Sequence, residues 1–381
     1  MFELQPEQIE TIRSKLTQTR LPLEPNSIAQ VIRETVPAST STDLFLNVDE
    51  IMATTIGYGP LEKVFAKPGV TDVLVNSFSE VWVDQGEGLV RSNIGWKTES
   101  ELRDFAARLA ASVNRRLDDV NPFVDARLKN GIRFHAVIPP ISQTGTTMSF
   151  RIPNQKEFSL DQLVELGTLD STIAVILKRI IKSKISFAIS GNTGSGKTTI
   201  LSALLGEVDP NERIVVIEDS AELKVNHPHV VSLQARIANS EGVGQVELSQ
   251  LVKQTMRMRP DRIVVGEIRG TEVIDLLISL NTGHKGGCLT LHANNTQAVI
   301  ARFEALGLLA KVSKAAIHSL LGQAIQILLH VQRTESGRKL TEISLLEQTQ
   351  TGNLQVLPAL DLINQKKIEP GWEKLQNMLA L

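Results

Sequence analysis

The segment Gly191-Asn192-Thr193-Gly194-Ser195-Gly196-Lys197-Thr198-Thr199 meets every fixed position of the pattern G-x-x-x-x-G-K-[ST]. Residues 185–190 ahead of it form a short apolar run suited to a buried strand, and residues 199–205 behind it read as a helix. A strand, a glycine loop and a helix start, in that order, build an anion cradle. The glycines let successive backbone N–H groups converge on phosphate oxygens. The helix start adds its own N–H groups and the positive end of its dipole. Lys197 supplies a mobile cation for the β and γ phosphates, and the Thr198 hydroxyl suits a Mg2+ ion. A glycine-rich turn that binds nothing is the weaker reading, because every fixed position and the strand–helix context are met. The loop alone does not name the reaction, since kinases, GTPases, motors and helicases share it.

Downstream, the chain alternates apolar strands with helices, the signature of a parallel sheet with crossover helices. Residues 213–218 (Arg-Ile-Val-Val-Ile-Glu) and 263–267 (Ile-Val-Val-Gly-Glu) read as central strands that end in acids. Ligands of open α/β sheets lie beyond the carboxyl ends of the strands, so both acidic ends are expected to face the glycine loop. Further helices are expected over 271–280, 298–308 and near 313–324. Strands are expected over 288–292, around 325–331 and around 340–346, before a less readable tail. Upstream, 160–181 reads as a helical approach and the polar 153–159 as a hinge.

Hydrolysis of a phosphoanhydride needs a metal, charge neutralisation and a group that orients or deprotonates water. Glu218, Glu222 and Glu267 are the carboxylates placed for the last task, with Asp219 as a fourth candidate. His284 and His292 flank a Gly-rich turn and a strand and read as phosphate or acid sensors. Metal ligation by them would need a further ligand that the sequence does not locate. Arg257, Arg259, Arg262 and Arg269 cluster around Pro260. They read either as cations offsetting a helix dipole or as a source of an arginine for a neighbouring subunit's γ phosphate. Arg236 is a similar candidate.

The chain is 381 residues long, room for two domains and a small extra piece. A net charge of −2 lacks the global basic footprint of a nucleic-acid binder. A single cysteine, Cys288, excludes a disulfide framework and a four-cysteine zinc site, and fits a reducing compartment. The first residues carry no secretory signal, and the best apolar run, 320–331, is broken by Gln323, Gln326 and His330. A cytoplasmic protein with peripheral membrane contact is expected. Residues 1–45 read as a helical lead-in, with Ile9, Ile12 and Leu16 on one face and Ile28, Val31 and Ile32 on another. Residues 46–155 read as a mixed α+β domain and 160–381 as the nucleotide domain. In the former, helices are expected over 48–57 and 100–116, and strands over 70–75, 80–84, 123–128, 132–138 and 148–152. Lys129-Asn130-Gly131 is a hairpin signal. Arg127, Arg133 and Arg151, taken alone, read as a solvated sheet face.

The order of these motifs resembles the secretion and pilus-assembly traffic ATPases of the type II/IV secretion superfamily. Gly191–Thr198 is similar to their Walker A. Ile217-Glu218-Asp219-Ser220-Ala221-Glu222-Leu223 resembles their Asp box, and residues 256–270, centred on Ile263-Val264-Val265-Gly266-Glu267, resemble their Walker B. Thr282-Gly283-His284 through Leu291-His292-Ala293-Asn294 resembles their His box. Gly59-Pro60-Leu61, Val70–Asn76, Val124–Leu128 and Val137-Ile138-Pro139-Pro140 look like the CpaF branch, also called the TadA pilus ATPase, with actinobacterial members the most similar. The resemblance covers roughly residues 48–347. The tetracysteine module of type II secretion ATPases is absent, and His284-Lys285-Gly286-Gly287 departs from the commonest spelling of the His box.

The resemblance implies an α/β fold: a RecA-like P-loop NTPase domain with a smaller N-terminal α+β domain. It implies a homohexamer that binds ATP and Mg2+ between its domains and works on inner-membrane pilus or secretion platform proteins. Carried over by position, residues 191–199 bind the phosphates, Thr198 and Glu267 serve Mg2+, Glu222 is the general base, Glu218 assists and Lys197 neutralises charge. Arg133, in Gly-Ile-Arg-Phe, matches a first-domain arginine that reaches the nucleotide; Arg151 is a weaker match. The leading expectation is therefore an ATP-driven motor of a Flp/Tad-type pilus or secretion machine. The alternative is a conjugation-type secretion ATPase or a nucleic-acid translocase of the same core fold. Few aromatics (4%) speak against base stacking and so against stable nucleic-acid binding. A non-hydrolysing scaffold is disfavoured by the acids, and a GTPase by the lack of an Asn-Lys-x-Asp motif.

Overall fold

Along Asp72–Ser77, Arg133–Val137 and Thr147–Arg151 buried side chains alternate with more exposed ones, as in a sheet with one covered face. The computed structural model describes residues 8, 11–12, 15, 25–36, 48, 57–86, 88–128, 130–153, 157–236, 238 and 242–380. The chain divides into two compact units, Met1–Gln155 and Lys156–Leu381. In the first, β1 (Asp72–Ser77), β2 (Glu80–Asp84), β3 (Leu89–Ser92), β4 (Phe123–Arg127), β5 (Arg133–Val137) and β6 (Thr147–Arg151) make one sheet in the order β3-β2-β1-β6-β5-β4. Every pairing in it is antiparallel. Phe134, Ala136, Met148 and Phe150 point to the covered face and pack with Leu102, Phe105 and Leu109. Those last three belong to an amphipathic helix.

Three helices of this unit are described: α1 (Pro25–Thr35), α2 (Glu62–Phe65) and α3 (Glu99–Ala111). Ile28, Val31 and Ile32 of α1 are buried with Ile12, Val36 and Val48. The helix expected over 48–57 lies outside the described residues except at its two ends. α3 is shorter than the expected 100–116. Its start is capped by the Thr98 hydroxyl, which accepts from Glu101 N. Its end comes where Asn114 turns left-handed (φ +57°) and Arg115 N returns to Ala110 O. Val113 keeps the helical period without being helical.

The second unit has eight helices among its described residues: α4 (Leu160–Glu165), α5 (Ser171–Lys182), α6 (Lys197–Leu205), α7 (Leu248–Thr255), α8 (Glu272–Asn281), α9 (Ala298–Leu309), α10 (Lys314–Ala324) and α11 (Gly371–Leu379). Its strands are β7 (Phe187–Gly191), β8 (Ile214–Glu218), β9 (Val230–Gln234), β10 (Arg262–Val265), β11 (Cys288–Leu291), β12 (Ile327–Thr334), β13 (Gly337–Gln348), β14 (Leu354–Asp361) and β15 (Lys366–Lys367). They form one sheet in the order β15-β14-β13-β12-β7-β11-β10-β8-β9. The expected approach helix over 160–181 is two helices, because Gly167 turns left-handed after α4 and Asp170 caps α5 afresh.

Strands β7, β8, β10 and β11 are buried at every position, which explains their unbroken apolar runs. Phe187 and Ile189 face one core with α5 and α6, and Ala188 faces the other with α8, α9 and α10. Burying each such Ile or Phe contributes roughly 1.5–3 kcal/mol, so charges are expelled to the strand ends. From β9 to β12 the sheet is parallel. It is not parallel throughout: β12 to β15 pair antiparallel. The tight connection between β12 and β13, with Gly337 at φ +111°, permits no other sense. The chain leaves β7 for β8, passing β11 and β10, while β12 flanks the other side. That reversal opens a crevice at the carboxyl end of β7, where the glycine loop lies.

Candidate nucleotide site

The glycine loop follows β7 directly. A Cβ on Gly191 would lie 2.3 Å from the Val331 carbonyl oxygen, so only glycine fits there. Gly194 (φ +72°) and Gly196 (φ +103°) are left-handed, and α6 begins at Lys197. The Ser195 hydroxyl is buried with no hydrogen-bond partner among the described residues. Lys197 is only 8% exposed. Its Nζ donates to the carbonyls of Gly191 (2.9 Å) and Asn192 (3.1 Å) and lies 3.5 Å from His292 Nδ1. Burial holds its pKa below the usual lysine range; Glu267 opposes that and Arg269 reinforces it.

His292 follows β11 and faces two ways. Its Nε2 lies 2.5 Å from Glu267 Oε1. Burial lowers its pKa, Lys197, Arg269 and Arg302 add to the effect, and Glu267 opposes it. A neutral ring whose Nδ1 accepts from Lys197 is the form these partners fit. The other Glu267 oxygen accepts from Arg269 Nη2 at 2.5 Å. That hydrogen bond raises the Arg269 pKa, with Asp219 and Glu222 adding to the attraction and burial opposing it. Lys197, His292, Glu267 and Arg269 thus form one continuous polar chain. Glu267 is not a strand residue: β10 ends at Val265, after which Gly266 N donates to Ile217 O and Ile268 N to Thr290 O. Thr290 Oγ1 donates to Gly266 O and fixes the turn.

Glu218 ends β8 and is buried. Its Oε1 accepts from the backbone N–H groups of Glu222 (3.1 Å) and Leu223 (3.0 Å). A Cβ on Gly266 would come within 2.6 Å of Glu218 Cγ. Gly266 therefore makes room for the carboxylate, and the carboxylate fixes the segment that presents Glu222. The Glu222 side chain is exposed.

Other candidates are placed elsewhere. His284 Nδ1 lies 3.0 Å from Ser279 O, in the last turn of α8. Arg236 Nε donates to Gly244 O within its own loop. Neither makes a polar contact with the Lys197 chain among the described residues. Arg257 Nη1 donates to Lys253 O near the end of α7, as a dipole-offsetting cation does. Arg262 is buried and paired with Glu212 Oε2 at 2.8 Å. In the first unit Arg133 and Arg151 are exposed and stand opposite each other on β5 and β6, with Arg151 Nε donating to Asp72.

Two residues escaped the reading of the sequence. His330 is buried on β12, beside the loop strand and in register with Ser190, with Nδ1 2.8 Å from Ser190 Oγ. Its one sequence signal is a histidine interrupting an apolar run. Arg338 Nε donates to Gly194 O at 2.9 Å, and only its place after a turn glycine marks it. The donor set fits a polyphosphate: glycine-loop amides, a partnerless buried hydroxyl and a desolvated lysine. It also fits Mg2+, whose hard-oxygen preference the Thr198 hydroxyl and Glu267 match. Among the described residues no group of three His, Cys, Asp or Glu could hold a metal unaided, as suits an ion held chiefly by phosphate and water.

A family model described as "Type II/IV secretion system protein" matches residues 55–354. A Mycobacterium tuberculosis protein, whose name places it provisionally in conjugal transfer, is 47% identical over 323 residues, 83% of this chain and 92% of its own. The conjugal transfer protein TrbB of Rhizobium radiobacter is 30% identical over 291 residues, 75% of this chain and 86% of its own. The type IV secretion system protein VirB11 of Bartonella quintana is 31% identical over 297 residues, 65% of this chain and 82% of its own. Among solved structures, the ADP-bound pilus retraction motor PilT aligns with a TM-score of 0.56 at 19% identity, over 76% of this chain and 83% of that one. The Legionella pneumophila ATPase DotB aligns with a TM-score of 0.50 at 17% identity, over 77% of each chain. These two likenesses establish the fold, a RecA-like ATPase domain with a smaller α+β domain.

Proposed function

Since the chain belongs to the type II/IV secretion system protein family, we propose that it is an ATP-hydrolysing motor of a conjugation-type secretion machine. The observation that carries the hydrolytic part is the Lys197–His292–Glu267–Arg269 chain set against a glycine loop. The relatives named for conjugal transfer and type IV secretion favour this over the Tad-pilus reading that led from the sequence alone. A pilus-assembly motor stays as the second reading, supported by the CpaF-like motifs at 59–61, 70–76 and 124–128.

In this reading the loop amides, Lys197 and the Thr198 hydroxyl hold the ATP phosphates. Glu222 takes the proton of the attacking water, a task worth roughly 10²–10⁴-fold. Glu218 sets the backbone of that base through its two amide contacts. His292 and Glu267 pass the state of the γ phosphate from Lys197 to Arg269. Mg2+, when bound, neutralises phosphate charge. Glu267, held between His292 and Arg269, is the carboxylate that would serve the ion. The active form is a homohexamer docked on membrane platform proteins at the inner face of the cell membrane. Among the described residues no helix is long and apolar enough to cross the membrane itself.

Purified protein should show Mg2+-dependent ATP turnover that rises on assembly and is lost in Lys197→Ala. Wild-type turnover in Lys197→Ala would end the proposal. Stimulation by single-stranded DNA, steeply reduced by salt, would point to a nucleic-acid translocase. Deletion that abolishes pili but leaves DNA transfer intact would favour the pilus motor.

A further inference from the structure

The β12–β13 turn brings a cation to the glycine loop from 144 residues away in sequence. Arg338 Nε donates to the Gly194 carbonyl, and its Cδ lies 3.2 Å from where a Cβ on Gly196 would be. The side chain lies along the outside of the loop, over its two left-handed glycines. A guanidinium is out of place there on local grounds. Arg333 is its directly opposite partner in the hairpin, and like charges opposite one another destabilise a strand pair. Among the described residues Arg338 has no carboxylate partner to offset this.

Peptide geometry says what the contact does. In a trans peptide the C=O and the following N–H point in opposite directions. With the Gly194 carbonyl drawn outward to Arg338, the Ser195 N–H is turned the other way, where it donates to Asn192 O at 3.2 Å. Asn192 O also accepts from Lys197 Nζ at 3.1 Å. Arginine and lysine thus grip one loop from opposite sides and aim an amide and an ammonium at the same carbonyl oxygen. A phosphate oxygen that replaces this carbonyl meets both donors already aimed.

From this we infer that Arg338 is a positioning residue for nucleotide binding, holding the glycine loop preorganised for the phosphates. The inference rests on the nucleotide-site reading above. Two glycines make the loop conformationally loose, and a charge-assisted hydrogen bond at its apex restricts it. The cost of losing that hold falls on binding rather than on the chemical step.

The test is steady-state ATP turnover by the full-length assembled chain. Arg338→Ala should raise KM about tenfold and leave kcat within about twofold. Arg338→Gln, which keeps part of the stem over Gly196, and Arg338→Lys, which keeps the charge but not the fixed Nε donor, should raise it similarly. Arg333→Ala should leave KM within about twofold. An unchanged KM in Arg338→Ala overturns the inference. So does restoration by Gln, which reduces the role to packing, or by Lys, which reduces it to charge, or an equal rise in Arg333→Ala. Lys197→Ala, run alongside, separates the two claims: if it turns over like wild type, the nucleotide reading itself has failed.

Discussion

Strand β10 presents an arginine near each end, and the two are built for different work. Arg262, at its amino end, is 1% exposed, and its donors reach Glu212, the Ile181 carbonyl and the Gly286 carbonyl. It ties α5, the turn before β8 and the turn before β11 together. Arg269, beyond the carboxyl end, is half exposed and shared among Glu267, Asp219 and Glu222. One guanidinium has a fixed partner on each of its nitrogens; the other faces more carboxylate than it can neutralise. In a parallel sheet the carboxyl ends open on the ligand crevice, so a satisfied ion pair at the amino end serves the fold, and a frustrated one at the carboxyl end is free to respond.

Breaking the buried pair tests this most strongly. Arg262→Ala leaves Glu212 with Lys184 as its one remaining cation among the described residues and takes a donor from the Ile181 and Gly286 carbonyls, and should cost about 3 kcal/mol of stability. Urea unfolding measures that loss, while turnover per folded molecule should stay normal. Loss of turnover without loss of stability would erase the distinction between the two ends. Arg269→Ala should do the reverse. Turnover should fall about tenfold, since Glu267 loses a charged partner, while stability stays within about 0.5 kcal/mol, as for a half-exposed residue. A melting shift comparable to that of Arg262→Ala would sink this half of the comparison.

That contrast was not legible in the sequence, where Arg257, Arg259, Arg262 and Arg269 form one cluster. Separating them requires knowing which strand end packs on helices. The glycine loop was legible because its residue pattern is contiguous, and its glycines answer backbone demands: Gly191 against Val331 O, Gly194 and Gly196 at positive φ. The buried strands were legible because two covered faces demand unbroken apolar runs. The order of motifs also put Glu267 and His292 near Lys197 before any contact was known. Arg338 and His330 were not legible, because topology alone brings β12 and β13 beside β7. The overlong helix at 100–116 shows a periodic signal outlasting the element, since Val113 packs correctly from a turn.

The smallest effect sharpens the comparison at the carboxyl end, through pH. His292 has a folded-state pKa below its ordinary value of 6.5, chiefly from burial, with Lys197, Arg269 and Arg302 against its charging and Glu267 for it. As pH falls through about 6.5, the unfolded chain therefore takes up a proton that the folded chain refuses. Stability present above that pH should be lost as pH falls towards the folded value and then level off. His330, also lowered by burial, adds a loss of the same sign. His292→Gln should thus flatten the decline between pH 7 and 5 without abolishing it, as read from urea midpoints at several pH values. Equal slopes in mutant and wild type would mean that Glu267 fully compensates the cations around the ring. The Lys197–His292–Glu267 chain would then hold a charged imidazole as readily as a neutral one, and could not distinguish a phosphate beside Lys197 from a proton.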